Sequence, residues 1–159
     1  MPGLGKRRGG LWKGRPARHK IGPMILSKRT DYGMRILYEL AVEPLSYHSA
    51  RALSDRHHVP EAFLRKILQD LRQAGIVAAQ KGRTGGYRLA KAPEEISVSE
   101  VLAALEGPVP KLACIVGEDC RIDQSCPTAP LWKHIERRIS EELSRLSLAD
   151  VVTMAREVR

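Results

Sequence analysis

The sequence predicts a mainly α-helical protein with one small β-hairpin, a winged helix-turn-helix domain followed by a long C-terminal dimerisation helix. Three observations carry that expectation. Apolar residues recur at spacings of three and four through most of the chain beyond residue 24. Two short helical periods flank a tight turn around His57-His58. Directly behind them, a cationic, glycine-rich turn joins two short runs of strand character.

The first helix is marked by Ile25, Tyr32, Ile36, Leu37, Leu40 and Ala41, and Pro44 closes it. Ser49 suits the N-cap of a short second helix that turns Ala52 and Leu53 inward. Pro60 fits the first position of a third helix, with Glu61 in its first turn. Phe63, Leu64, Ile67, Leu68 and Leu71 form its apolar stripe, and Gly75 ends it. Ile76–Gln80 reads as a strand, residues 81–86 as a turn, and Tyr87–Ala90 as the returning strand. Ser97 and Glu100 make a capping box for a helix through Val98, Val101, Leu102 and Leu105, which stops at Gly107-Pro108. A long helix starting near Thr128 carries Leu131, Ile135, Ile139, Leu143 and Leu146. Ser147 and Asp150 cap a last helix over Leu148–Val158. The stripe of the long helix has no evident partner in so small a body, which points to a second copy of the chain across a twofold axis.

With 159 residues the chain suits one compact domain plus an appendage. At 43% hydrophobic and 4% aromatic residues, its core must be mostly aliphatic. No apolar run nears the roughly 20 residues of a membrane helix, so no membrane association is expected. Three cysteines cannot pair off and no apolar signal-peptide core is present, which argues against a disulfide-stapled secreted domain and for a cytoplasmic protein. In that compartment clustered thiols bind metal or sense redox state.

The net charge of +9 is unevenly placed. Lys6, Arg7, Arg8, Lys13, Arg15, Arg18 and Lys20 lie within residues 1–23, which hold no acid. Six glycines and three prolines there leave no period, so this arm reads as disordered. It is open whether it is a dispensable extension before Met24, a DNA tether built on Lys13-Gly14-Arg15-Pro16, or a transit peptide. The expected organisation is therefore an arm over 1–23, a winged helix-turn-helix domain over 24–107, a cysteine loop over 108–127, and the dimerisation and terminal helices over 128–159.

Outside the arm, a nucleic-acid site must rest on a local patch. The third helix presents Glu61, Ala62, Arg65, Lys66 and Gln69 on its polar side, as a recognition helix in a major groove would. Ser49 at the start of the second helix, and Lys81, Arg83, Gly85, Gly86 and Tyr87 in the wing, complete the expected DNA contacts. Glycine lets backbone approach phosphates closely, and Arg83 suits the adjacent minor groove.

Cys114, Cys120 and Cys126 are evenly spaced, with five residues between neighbours. There is no Cys-x-x-Cys pair and no histidine within five residues after Cys126, so a zinc ribbon does not fit. Thiolates on one loop suit an iron–sulfur cluster, [2Fe-2S] or [4Fe-4S], while three unligated thiols remain the alternative. The segment Leu26-Ser-Lys-Arg-Thr-Asp-Tyr-Gly-Met-Arg-Ile-Leu, the turn Gly82-Arg-Thr-Gly-Gly-Tyr-Arg-Leu and the spaced cysteines resemble the Rrf-two (BadM) family of transcriptional regulators. That resemblance spans Met24 to about Val152. It implies a homodimer on a palindromic operator of double-stranded DNA and a cluster held by the three cysteines.

The IscR-like branch of the family has a histidine three residues after the last cysteine, where this chain has Ala129. The NsrR-like branch of actinobacterial type takes an aspartate from the first helix of the other subunit, and the matching residue is Asp31. His134 is a weaker candidate ligand. The expected function is a regulator, most simply a repressor, that senses nitric oxide, redox stress or iron–sulfur status. A cluster-free thiol sensor acting through Cys114 or Cys120, and a cluster accessory protein that ignores DNA, are the rivals. No nucleophile–base pair or phosphate loop suggests an enzyme.

Overall fold

The computed structural model describes residues 27–107 and 126–158. The basic arm, and the segment that carries Cys114 and Cys120, lie outside the described residues. Helix α1 (Lys28–Val42) starts at Ser27, whose hydroxyl accepts the Thr30 N–H at 3.3 Å, and it buries Ile36, Leu37, Leu40 and Ala41. Helix α2 (Ala50–His57) is capped by Ser49 as expected, with the Ala52 N–H 3.1 Å from its hydroxyl. His58, at a left-handed φ of 52°, turns the chain into α3 (Glu61–Gln73). Pro60 is the N-cap rather than the first helical residue, because its ψ of 128° is extended. Its carbonyl still accepts from Phe63 and Leu64 at 2.9 and 3.0 Å, and a proline here gives up no helical hydrogen bond. Gly75, at φ 72°, ends the helix where the sequence places the stop.

Strands β1 (Val77–Gln80) and β2 (Gly86–Leu89) pair antiparallel, Val77 opposite Leu89 and Gln80 opposite Gly86. β1 starts one residue later than the expected run and β2 is shifted one residue toward the turn at both ends, with Ile76 and Ala90 joined by a single hydrogen bond outside the ladder. The turn between α1 and α2 adds an unexpected isolated bridge on the other edge of β2. The His48 N–H donates to the Tyr87 carbonyl and the Tyr87 N–H to the His48 carbonyl, both at 2.9 Å.

A 3₁₀ turn (Pro93–Glu95) leads to α4 (Val98–Glu106), and α5 (Ala129–Arg145) and α6 (Leu148–Glu157) complete the order. Both expected capping boxes form, Ser97 with Glu100 and Ser147 with Asp150. The two capped ends lie side by side. The Val98 N–H donates to the Leu146 carbonyl at 2.8 Å and the Leu148 N–H to the Ile96 carbonyl at 2.9 Å. One aliphatic core unites Leu37, Leu40, Leu64, Leu68, Ile96, Val101, Leu148 and Val152. Helix α6 thus packs into the winged-helix body. Gly33 permits the close crossing of α1 and α4, for a Cβ there would lie within 2.4 Å of the Leu105 side chain.

Helix α5 buries none of its residues completely. Ile135, Ile139 and Leu143 are partly buried and Leu131 is 53% exposed, so its apolar stripe is incompletely covered by its own chain. Among the described residues no helix is long and apolar enough to cross a membrane.

Candidate nucleic-acid interface and thiol site

The apolar stripe of α3 fixes which side faces out. With Leu64, Ile67, Leu68 and Leu71 buried, Ala62, Arg65, Lys66 and Gln69 are exposed on the opposite side, beside the half-exposed Glu61. The Arg65 guanidinium donates twice to one oxygen of Glu61, from Nε at 2.9 Å and Nη2 at 2.5 Å. The Glu61 carboxylate, and less strongly the Tyr87 phenol, hold Arg65 above its ordinary pKa.

Lys81 and Arg83 are exposed at the tip of the wing. Gly85 and Gly86 serve the fold before they serve any phosphate. A Cβ at Gly85 would stand 2.2 Å from the Gln80 carbonyl oxygen, and one at Gly86 would stand 2.4 Å from the His48 carbonyl oxygen. The backbone of Tyr87 is held on His48, next to the Ser49 cap of α2. The structure therefore joins the start of α2 and the wing through one backbone pairing.

Two features of this frame are not legible in the sequence. Arg88 on β2 stacks over the Tyr47 ring at 5.0 Å, on the opposite face of the hairpin from Tyr87. Glu39 of α1 takes Arg56 at 2.5 Å and His57 at 2.7 Å from α2, with His48 3.6 Å away. That largely buried carboxylate pins the first helix of the motif to the body. Neither pairing follows any local period, so only the folded chain reveals it.

Of the expected ligands, Cys126 and Asp31 are described, whereas Cys114 and Cys120 lie outside the described residues. Cys126 precedes α5, with its sulfur 3.2 Å from the Thr128 hydroxyl. That hydroxyl, then the Thr128 and Ala129 N–H groups, hold the thiol below its ordinary pKa and favour the thiolate that metals and oxidants require. Asp31 is exposed in the first turn of α1 and braced by Arg35, at 3.2 Å from Nε and 2.8 Å from Nη2. His134 is exposed on α5 with Arg137 3.4 Å from Nδ1. Among the described residues no group of three metal-ligating side chains gathers.

Glu106, the last residue of α4, accepts from the hydroxyls of Ser27 and Thr30 at the start of α1. It ties the end of the winged-helix body, where the cysteine segment begins, to the turn that carries Asp31. The Ser27 and Thr30 hydrogen bonds hold its carboxyl below the ordinary value. A depressed folded pKa stabilises the protein above the unfolded value, near 4.3, and that contribution disappears as pH falls through the folded value. Acid unfolding monitored by circular dichroism is thus expected to lose part of its dependence below about pH 4.3 in Glu106→Gln, and an unchanged profile would refute the tie.

The family model described as Rrf2, iron-dependent transcriptional regulator, matches residues 26–154. The transcriptional regulator IscR of Aliivibrio salmonicida is 35% identical over 130 residues, covering 81% of this chain and 77% of its own. IscR of Vibrio parahaemolyticus is 33% identical over 131 residues, covering 82% and 78%. Among solved structures, T. potens IscR superposes with a TM-score of 0.68 at 27% identity, covering 87% of this chain and 93% of its own. CymR, the global cysteine regulator of B. subtilis, gives 0.70 at 27% identity, covering 82% and 97%.

Proposed function

The chain belongs to the Rrf2 family of transcriptional regulators, and from that premise we propose that it is a homodimeric, operator-binding repressor whose signal enters at its cysteine segment. The observation that carries this reading is the continuous outer face formed by α3, the capped start of α2 and the wing. In a twofold dimer, paired through the incompletely covered stripe of α5, two such faces would meet successive major grooves of a palindrome, about 10 base pairs apart. Lys81 and Arg83 suit the flanking phosphates or minor groove, and Ala62, Arg65, Lys66 and Gln69 suit base edges.

Two of the expected ligands, Cys126 and Asp31, are of the chemistry an iron–sulfur cluster takes. Cys126 sits where donors favour a thiolate, and Asp31 is an exposed carboxylate with its orientation fixed by Arg35. Cys114, Cys120 and Cys126 would hold the cluster, with Asp31 of the partner subunit as fourth ligand. A bound cluster supplies a centre that reacts with nitric oxide and oxidants. Glu106 then links the liganded segment to α1, on which α3 and the wing pack.

Iron and acid-labile sulfide, measured on anaerobically purified protein, test this. About two or four of each per chain are expected, and Cys126→Ser should abolish both. Duplex binding should be tighter with the cluster than without it, and equal affinities would overturn the sensing step. Protein without iron or sulfide after reconstitution would favour a cluster-free thiol sensor.

A further inference from the structure

Glu61 is an acid on a face that, in the reading above, approaches a polyanion. The helix dipole explains why an acid is stable in the first turn of α3. It does not explain why a side chain that phosphates repel stands among those that reach for bases. The geometry of the pair supplies a reason. Both Arg65 donors lie on the same oxygen of Glu61, Oε1, and among the described residues no group donates to Oε2. The two side chains are 40% and 58% exposed. Side by side they present an unused acceptor and the remaining N–H groups of a guanidinium fork.

In the major groove this combination has one full complement. Guanine alone offers two acceptors on one base, O6 and N7, to a guanidinium fork, and its partner cytosine offers the N4 amino donor that a carboxylate needs. An A·T pair offers the fork no such pair of acceptors on a single base. We propose that Glu61 and Arg65 act as one reading unit that selects a C·G base pair in each operator half-site, with Arg65 donating to guanine and Glu61 accepting from the cytosine amino group. The inference rests on the operator-binding reading and adds the identity of one base pair to it. Because Glu61 repels phosphate wherever that amino group is absent, it lowers affinity for DNA in general and raises discrimination.

Selection of the full-length chain on a randomised duplex library, followed by anisotropy on the selected duplex, tests the unit. The unaltered protein should enrich a palindrome with a fixed C·G pair, and changing that pair to T·A should weaken binding about 5- to 150-fold. Glu61→Ala should relax that position alone and bind random-sequence DNA more tightly than the unaltered chain does. Glu61→Gln, which keeps an acceptor, should retain the preference. Thermal melting confirms that each variant is folded, as expected for exposed positions. A Glu61→Ala variant with the same preference at every position, or with weaker binding to random DNA, overturns the proposal. Enrichment of no sequence by the unaltered chain overturns the operator-binding reading and this one with it.

Discussion

Replacing Arg65, Lys66 and Arg83 together by alanine is expected to weaken duplex binding by roughly a hundredfold or more at physiological salt, with the fold intact. All three side chains are exposed, and none contributes to the aliphatic core. The partner that Arg65 has on its own helix is a surface carboxylate, and pairs of that kind contribute little to stability. On DNA the balance reverses, since each cation that neutralises a phosphate releases a counterion. In a dimer two such charges, one Arg83 per subunit, would disappear, lowering the slope of log affinity against log salt by about 2, while the loss of Arg65 and Lys66 removes base-edge contacts. Anisotropy at several salt concentrations measures that slope, and thermal melting checks the fold. An unchanged slope would transfer the electrostatic contact to the seven cations of residues 1–23, and deletion of those residues would then remove it.

The second large effect concerns the anchor of the wing. Gly86→Ala is expected to cost about 1–3 kcal/mol and to weaken DNA binding with it. The added methyl would meet backbone on every near side: the His48 oxygen at 2.4 Å, its carbonyl carbon at 2.7 Å and the Ser49 nitrogen at 3.1 Å. Backbone held by two hydrogen bonds cannot retreat as the tip of a side chain can, so β2 must separate from the turn before α2. Gly82→Ala is the control, because φ is positive there as well, at 112°, but nothing lies within 4 Å. Urea unfolding of both variants distinguishes a lost anchor from simple backbone strain. Equal losses at the two positions would show that the contact with His48 is unimportant.

Whatever depends on a local period was legible in the sequence. The stripe of α3, the Ser49 cap and the boxes at Ser97 and Ser147 each need only three or four neighbouring residues, and each forms as expected. Pro60 is misplaced by one position because either site satisfies the same missing N–H. The candidate interface was legible as charge on a helix face, but its supports were not. Glu106 meets Ser27 and Thr30 across 79 and 76 residues, and His48 meets Tyr87 across the whole helix-turn-helix unit. Such pairings belong to the tertiary fold and leave no repeat to read. The two glycines of the wing show the same limit, for the sequence reveals that backbone comes close there without revealing to what.

The knot between the capped ends of α4 and α6 has a mechanical consequence. It clamps the chain at Leu146 and Leu148, immediately after α5, while Cys126 lies just before that helix begins. With 17 residues, α5 is a rod about 25 Å long, fixed at one end and carrying the thiol near the other. Pivoting the rod by about 10° at the clamp sweeps its thiol end through roughly 4 Å, a gain that follows from its length alone. Read in reverse, a pull of a few ångströms on the thiol reaches the clamp as a small torque on the core that holds α3.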